Sequence, residues 1–381
     1  MLGGAIVEDA VSQPIATRVA MRLRDHGPDS VNGLAAALEL SRTSVENVLG
    51  SLTAAGALTR TTASGAGVGR PSRWYGFVAD SGYVAGVDVG NATTRVVISD
   101  LAGEVLADHV GPGVGGFPDG VSKLDSVTQQ IREAFERPGL PIGKLRAVGL
   151  SLPGIVNETG SVLASVVIPE WTGVDIGGRL REVLGVEVAV DNGVRLAAVA
   201  EHHLGAAQLV SDVLYLSVGN RVAMGLIIDG KPRRGAHDAA GDIGRLAVPG
   251  VDPTTGQLGW ARAGSAAELF QLVRDGDAAA ARELTGFIDQ LARSLATLIM
   301  AVDPGKVVIG GGLSRAREAF MEPLSAAVGG QIRLPFEVPV VAARLGDEAA
   351  AHGALVLAFG RKAKEIYGIG GMSVPRISPL V

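Results

Sequence analysis

The sequence predicts an α/β chain in two lobes preceded by a small helical unit and a β-hairpin. Three observations carry this. Short amphipathic helices fill residues 12–58. A Thr- and Gly-rich segment follows over 59–78. From Tyr83 onward, apolar β-branched runs bounded by Gly or Asp alternate with helical stretches for about 300 residues. A chain of 381 residues is too long for one compact core and suggests two or three domains.

The helical unit comes first. SQPIATRVAMRLRDHG (12–27) sets Ile15, Val19 and Leu23 on one face at helical spacing. NGLAAALEL (32–40) is a second helix. SRTSVENVLGSLTAAGAL (41–58) is a third, with Ser41 as N-cap, Gly56 at its end, and Val45, Val48, Leu49 and Leu52 toward the core. TRTTASGAGVGRPSRWYGFV (59–78) reads as a hairpin with a Gly69-Arg70-Pro71 turn at its tip.

Three helices followed by a hairpin are the layout of a winged helix, in which the third helix enters the major groove and the wing lies along the backbone or in the minor groove. Arg42, Thr43, Ser44 and Asn47 stand at the start of that helix as donors to phosphates and base edges, and Arg70 and Arg73 project from the wing. A small helical dimerisation module with solvated arginines is the alternative reading.

Bulk composition excludes several classes. No uninterrupted apolar run reaches the roughly 18 residues of a membrane helix. The start, MLGGAIVEDA, has no basic stretch leading into an apolar core, so no secretory signal is expected. The absence of cysteine excludes disulfides, thiolate metal sites and a cysteine nucleophile. A cytoplasmic protein is expected. Residues 1–80 carry seven Arg and seven Asp or Glu, and the net charge of −5 belongs to the remainder. Double-stranded DNA as a partner therefore needs a local patch rather than bulk charge.

In the α/β part, YVAGVDVG, TRVVISDLAGEVLADHV, RAVGLSLPGIV, VEVAVDNG, VLYLSVGN, VAMGLIIDGK and KVVIGGGL read as strands. SVTQQIREAFE, RLAAVAEHHLG, AARELTGFIDQLARSLATLIMA and EAAAHGALVLAFG read as helices. DVGNATTRVVISDLAG and SVGNRVAMGLIIDG both look like hairpins with a Gly turn, a weak internal echo.

GVDVGNATTRVVISDLAGEVL resembles the first phosphate-binding hairpin of actin-like sugar kinases. AVGLSLPGIVNETGSV, VAVDNGVRLAAVAE, LSVGNRVAMGLIIDGKPRRGAHDAAGDIGRL and DPGKVVIGGGLS come after it in the order found in the ROK family of bacterial repressors, open reading frames and sugar kinases. The winged helix in front resembles the repressor branch. The resemblance covers roughly 13–360. It implies a DNA-binding domain over 1–80 and a ROK domain over 81–381. Lobe one would be about 81–193 plus a C-terminal helix of about 346–381, and lobe two about 194–345.

The resemblance also implies a nucleotide and sugar site, from which this sequence departs. In the first phosphate loop Asp88 and Gly90 remain, but Asn91 and Ala92 replace a Gly and a Thr. In the second, Gly219 is followed by Asn220 and Arg221 in place of Thr-Gly. Alignment puts Asn192 at the family Asn and Gly193 at the catalytic Asp. Asp191 lies two positions upstream and would point elsewhere. The family Glu-x-Gly-His reads Asp242, Ile243, Gly244, Arg245. The zinc loop appears as PTTGQLGWARAGS, with Trp260 and Arg262 near the last Cys and the Glu. Val167 stands at a sugar-contacting Asn, leaving Trp171, and His202, His203 and His237 lack metal spacing.

Together these departures imply no catalytic residue, metal or cofactor. Asp88, Gly90, Gly219 and Gly311 are vestiges of the nucleotide site. Asn192, Asp242 and Arg245 are candidate contacts for a carbohydrate or acidic effector. Pro153-Gly154 and Gly310-Gly311-Gly312 are backbone necessities of the fold. The expected protein is a regulator, a repressor acting as a homodimer or dimer of dimers. An atypical ATP-dependent sugar kinase and a regulator with no small-molecule ligand are the alternatives.

Overall fold

The structure, a computed structural model, describes residues 13–62, 73–244, 250–252, 254–332 and 335–378. The N-terminal unit contains α1 (Ile15–His26), β1 (Asp29–Ser30), α2 (Val31–Leu38), α3 (Arg42–Ala54), β2 (Leu58–Thr61) and β3 (Trp74–Phe77). Ser41 caps α3 by accepting from the Ser44 amide, as its position predicts, and Gly56 turns the chain with φ 75°. Val19, Ala20, Leu23, Leu34, Val45 and Leu49 are all at most 1% exposed and form the core of this unit. The hairpin β2–β3 gains β1 as a third strand, in the order β1-β3-β2. A two-residue strand carries no periodicity, so the sequence does not announce it. Residues 63–72, with the Gly69-Arg70-Pro71 tip, lie outside the described residues.

The first lobe holds β4 (Tyr83–Val89), β5 (Thr93–Asp100), β6 (Val105–Pro112), α4 (Gly120–Glu136), β7 (Leu145–Leu152), β8 (Ile155–Val156), β9 (Val162–Ala164), α5 (Ile176–Leu184) and β10 (Glu187–Asn192). Its sheet runs β10-β7-β4-β5-β6, with β10, β7 and β4 parallel and β5 and β6 antiparallel. Strands buried on both faces read as near-continuous apolar runs, and β4 and β7 are apolar but for Asp88, Arg146 and Ser151.

The second lobe holds α6 (Gly193–His203), β11 (Val213–Val218), β12 (Val222–Ile228), β13 (Lys231–Pro232), α7 (Ala266–Arg274), α8 (Ala278–Val302), β14 (Lys306–Gly310), α9 (Glu322–Gln331) and β15 (Val340–Ala342). Its sheet runs β13-β12-β11-β14-β15, again with a leading hairpin flanked by parallel strands. The sequence echo between residues near 88 and 217 is thus a repeated sheet plan. No helix among the described residues is long and apolar enough to cross a membrane.

The chain finishes with α10 (Ala349–Arg361) and α11 (Ala363–Tyr367). Helix α10 lies flush on the first sheet because glycines make room for it. A Cβ at Gly86 would fall 2.2 Å from the Ala351 carbonyl oxygen, and one at Gly149 would fall 1.8 Å from that of Ala354.

Residues 363–378 do not stay with the first lobe alone, as the sequence division implies. They return to α1. Thr17 Oγ1 donates to the Gly370 carbonyl at 2.7 Å. Arg24, with its side chain 1% exposed, donates to the Tyr367 hydroxyl at 3.1 Å and to the Ser373 carbonyl at 2.7 Å. Tyr367 in turn donates to the Leu101 carbonyl at 3.0 Å. One apolar cluster accordingly runs from Val19 and Leu23 through Tyr367 and Met372 to Phe359 and Leu355.

Candidate functional site

A cleft of about 500 Å³ opens between the two sheets, lined by the ends of β4, β10 and β11 and the start of α6. Its chemistry rests on five positions.

Asp88 closes β4. Burial pushes its carboxyl above the usual carboxylate range, against a hydrogen bond donated by Ser151 and the nearby Arg95 guanidinium. Gly193 faces this pair: a Cβ there would sit 2.9 Å from Ser151 Oγ and 3.8 Å from Asp88 Oδ1. A side chain at 193 would therefore point at Asp88, and glycine places no proton acceptor there.

Asn192 is committed to the fold. Its amide oxygen caps α6 by accepting from Val194 and Arg195, and its amide nitrogen donates to the Gly154 carbonyl at 2.7 Å.

Asp191 is 2% exposed and turns away from the cleft mouth into an arginine clamp. It accepts from Arg195 of α6 and from Arg234, which follows β13 in the second lobe. Arg361 at the end of α10 stands at 3.8 Å. Arg234 also donates to Asp238 at 2.7 Å and to the Val156 carbonyl in the first lobe at 2.6 Å. Arg195 donates to the Asp238 carbonyl at 2.9 Å, and its Nε is buried without a partner. The lobes are thus tied together by a buried ion cluster beside the cleft. Burial pushes the Arg195 guanidinium below its ordinary value, against the pull of Asp191.

Arg221, on the hairpin after Gly219, is half-buried and donates to the Thr255 carbonyl at 3.3 Å. It pairs with Gln257 across a β-bridge. This holds segment 254–262 without cysteines. Asp252 closes the turn by accepting from the Thr254 and Thr255 amides at 2.9 and 2.6 Å, and Glu283 of α8 accepts from the Arg262 amide at 3.1 Å. Trp260 packs edge-on against Phe287 at 5.0 Å, and Arg262 pairs with Asp277 at 3.4 Å. Among the described residues no group of three His, Cys, Asp or Glu could hold a metal ion.

The glycines of the cleft are backbone contacts. A Cβ at Gly311, where φ is 77°, would fall 2.5 Å from the Val218 carbonyl, and one at Gly310 would meet the Tyr215 hydroxyl. Gly90 donates back to Thr93 at 2.9 Å within its own hairpin, and Gly219 donates to Arg221 at 3.0 Å. Asp88, Gly90, Gly311, Val167, Asn192 and Asp242 all line the cleft, with Asp242 exposed. Gly219 stands behind it, next to Gly312. Trp171 is buried and donates to the Gly120 carbonyl, so it belongs to the core. Arg245 lies outside the described residues. Sequence reasoning misses Arg195, Arg234, Asp238 and Ser151. The spacing of Asp191 and Arg195, four residues apart across the start of a helix, is a usable signal; Arg234 has none without the topology.

On the N-terminal unit, Arg42, Thr43 and Asn47 share the exposed face of α3, and Arg73 is exposed just before β3. Ser44 is half-buried, its hydroxyl 2.8 Å from that of Ser41. Arg70 lies outside the described residues. The face also carries Glu46 and Gly50; a Cβ at Gly50 would meet nothing within 4 Å.

The sequence pattern described as the ROK family matches residues 84–260 and 252–361. The chain belongs to the ROK family. Among relatives of this ROK protein, a xylose repressor from Caldicellulosiruptor bescii is 23% identical over 317 residues, covering 73% of this chain and 78% of the relative. A kanosamine kinase from Amycolatopsis mediterranei is 28% identical over 300 residues, covering 72% of this chain and 96% of the relative. A solved ROK-family transcriptional regulator, described as a homologue of the Escherichia coli MLC protein, shares the fold over 94% of this chain and 100% of its own, with TM-score 0.73 and 23% identity. A ROK glucokinase from Streptomyces griseus shares it over 74% of this chain and 100% of its own, with TM-score 0.62 and 22% identity. The family thus contains repressors and sugar kinases built on one mixed α/β fold.

Proposed function

We propose that this ROK protein is a DNA-binding transcriptional regulator, a repressor, whose kinase-like cleft has lost phosphoryl transfer. The observation that carries the reading is the N-terminal unit of three helices and a three-stranded sheet, with Arg42, Thr43 and Asn47 on the free face of the third helix. That is the winged-helix arrangement, and these side chains suit major-groove recognition. Two copies in a dimer would meet two half-sites, and a carbohydrate held by Asp242 and the cleft walls would set their spacing. In a mobility-shift assay, Arg42→Ala is expected to weaken operator binding by about 1–3 kcal/mol, and Arg70→Ala or Arg73→Ala to weaken it less selectively. Unchanged affinity in all three variants overturns the assignment.

The kinase reading is favoured by the carboxylate of Asp88 at the cleft and by kinase relatives such as the kanosamine kinase. Against it, Gly193 supplies no base, a contribution of about 10²–10⁴-fold, and Ala92 and Arg221 alter both phosphate loops. No ADP release is expected with glucose, N-acetylglucosamine, mannose or xylose in a coupled assay. Sugar-dependent turnover that is lost in Asp88→Asn would establish the kinase instead.

A further inference from the structure

We propose that Glu46 is a specificity-determining residue of the DNA interface: it accepts a hydrogen bond from the N4 amino group of a cytosine in the major groove, beside the base pair met by Arg42. This deepens the DNA-binding reading above and rests on it.

Arg42, Glu46 and Gly50 form one stripe along the exposed side of α3, one helical turn apart. The Arg42 Nε lies 3.1 Å from Glu46 Oε1, with the two side chains 66% and 49% exposed. As a helix stabiliser this pair is poorly arranged. Arg42 is the first helical residue, where the positive end of the helix dipole disfavours a cation, and the acid follows the base, the weaker order for such a pair. Gly50 likewise weakens the helix while leaving open space on the same stripe. Helix stability is thus a weak reason for the pair and none for Gly50, whose open space leaves room for the close approach of a large partner.

A carboxylate on that stripe opposes binding to any duplex, because the phosphates repel it. It recovers this only where a base edge donates to it. Cytosine N4 and adenine N6 are the donors in the major groove. Adenine sets its N7 acceptor beside N6, which suits an amide and repels a carboxylate, so cytosine is the match for Glu46. The ion pair sets the Arg42 guanidinium next to Glu46, and its remaining N–H donors suit a guanine edge at the neighbouring base pair.

The test enriches the full-length protein's preferred sequences from randomised duplexes, using the wild type, Glu46→Gln and Glu46→Ala. The wild type is expected to require cytosine at one position of each half-site. The Gln variant should move the preference at that pair to adenine, by roughly tenfold in relative affinity. The Ala variant should accept all four bases there and bind random-sequence DNA more tightly at low salt. Identical preferences in the three proteins overturn the proposal, as does weaker binding with preferences unchanged, which is the mark of a structural role. A wild type that enriches no sequence overturns the DNA-binding reading itself, and the wild-type arm alone decides that.

Discussion

Replacing Asp191 with alanine is expected to cost about 3–5 kcal/mol of stability, because it leaves two guanidinium groups buried without their shared counter-ion. Asp191 is 3% exposed at its side chain, Arg195 4% and Arg234 11%, so solvent screens the cluster little. The loss falls on two places at once. Arg195 would sit at the start of α6 with only the Asp238 carbonyl as partner. Arg234 would keep Asp238 and the Val156 carbonyl but lose its strongest tie to the first lobe. Asp191→Asn, which keeps an acceptor and removes the charge, should cost less. Urea unfolding monitored by circular dichroism reads both. A loss in the alanine variant below about 1 kcal/mol, the range of an exposed pair, would mean that the cluster is solvated.

The second large effect is expected at Arg24. This buried guanidinium donates to the Tyr367 hydroxyl and to both the carbonyl and the hydroxyl of Ser373, pairs with Asp25 at 2.7 Å, and stands 5.6 Å over the Tyr367 ring. Burial works against its charge, but Asp25 and Tyr367 outweigh it and hold the guanidinium above its ordinary value. Burial pushes the Tyr367 hydroxyl up to about 12. Neither group changes protonation near neutral pH, so the junction is insensitive to pH there. Arg24→Met keeps the apolar stem and removes every donor. The Ser373 carbonyl then loses its partner, and the variant should lose on the order of 3 kcal/mol. Tyr367→Phe should lose about 1 kcal/mol. Calorimetry of Arg24→Met should show the N-terminal unit melting ahead of the rest; a single transition at the wild-type temperature would show that this junction does not couple them.

The strands and helices are legible in the sequence where one physical rule acts alone. The core positions of α3 follow from helical spacing, its start from Ser41, and β4 and β7 from their mostly apolar runs, which only Asp88, Arg146 and Ser151 interrupt. The family motifs and Gly193 are legible because they are contiguous. The ion cluster is not: Arg234 and Asp191 are 43 residues apart and meet only when the two sheets face each other. The return of residues 363–378 to α1 is hidden for the same reason. Its short helix and loop carry no pattern that names a partner. Asn192 reads as a ligand contact because its type suits one; it lines the cleft, and its part in capping α6 and in holding Gly154 is what the sequence does not announce.

The junction between α1 and the chain's last described stretch also imposes an order of events during synthesis. Thr17 and Gly370 are 353 residues apart. At ordinary rates of elongation, roughly 20–70 s separate their emergence from the ribosome. For that interval the N-terminal helices exist without Tyr367, Met372 and Ser373 against them, and the apolar side of α1 waits for a surface that has not been made. A chain interrupted before residue 367 would carry a nearly whole body and an unanchored N-terminal unit. Synthesis of residues 367–373 therefore precedes the anchoring of the region proposed to meet DNA, and under that proposal chains truncated before them bind operator DNA poorly even when most of their residues have folded.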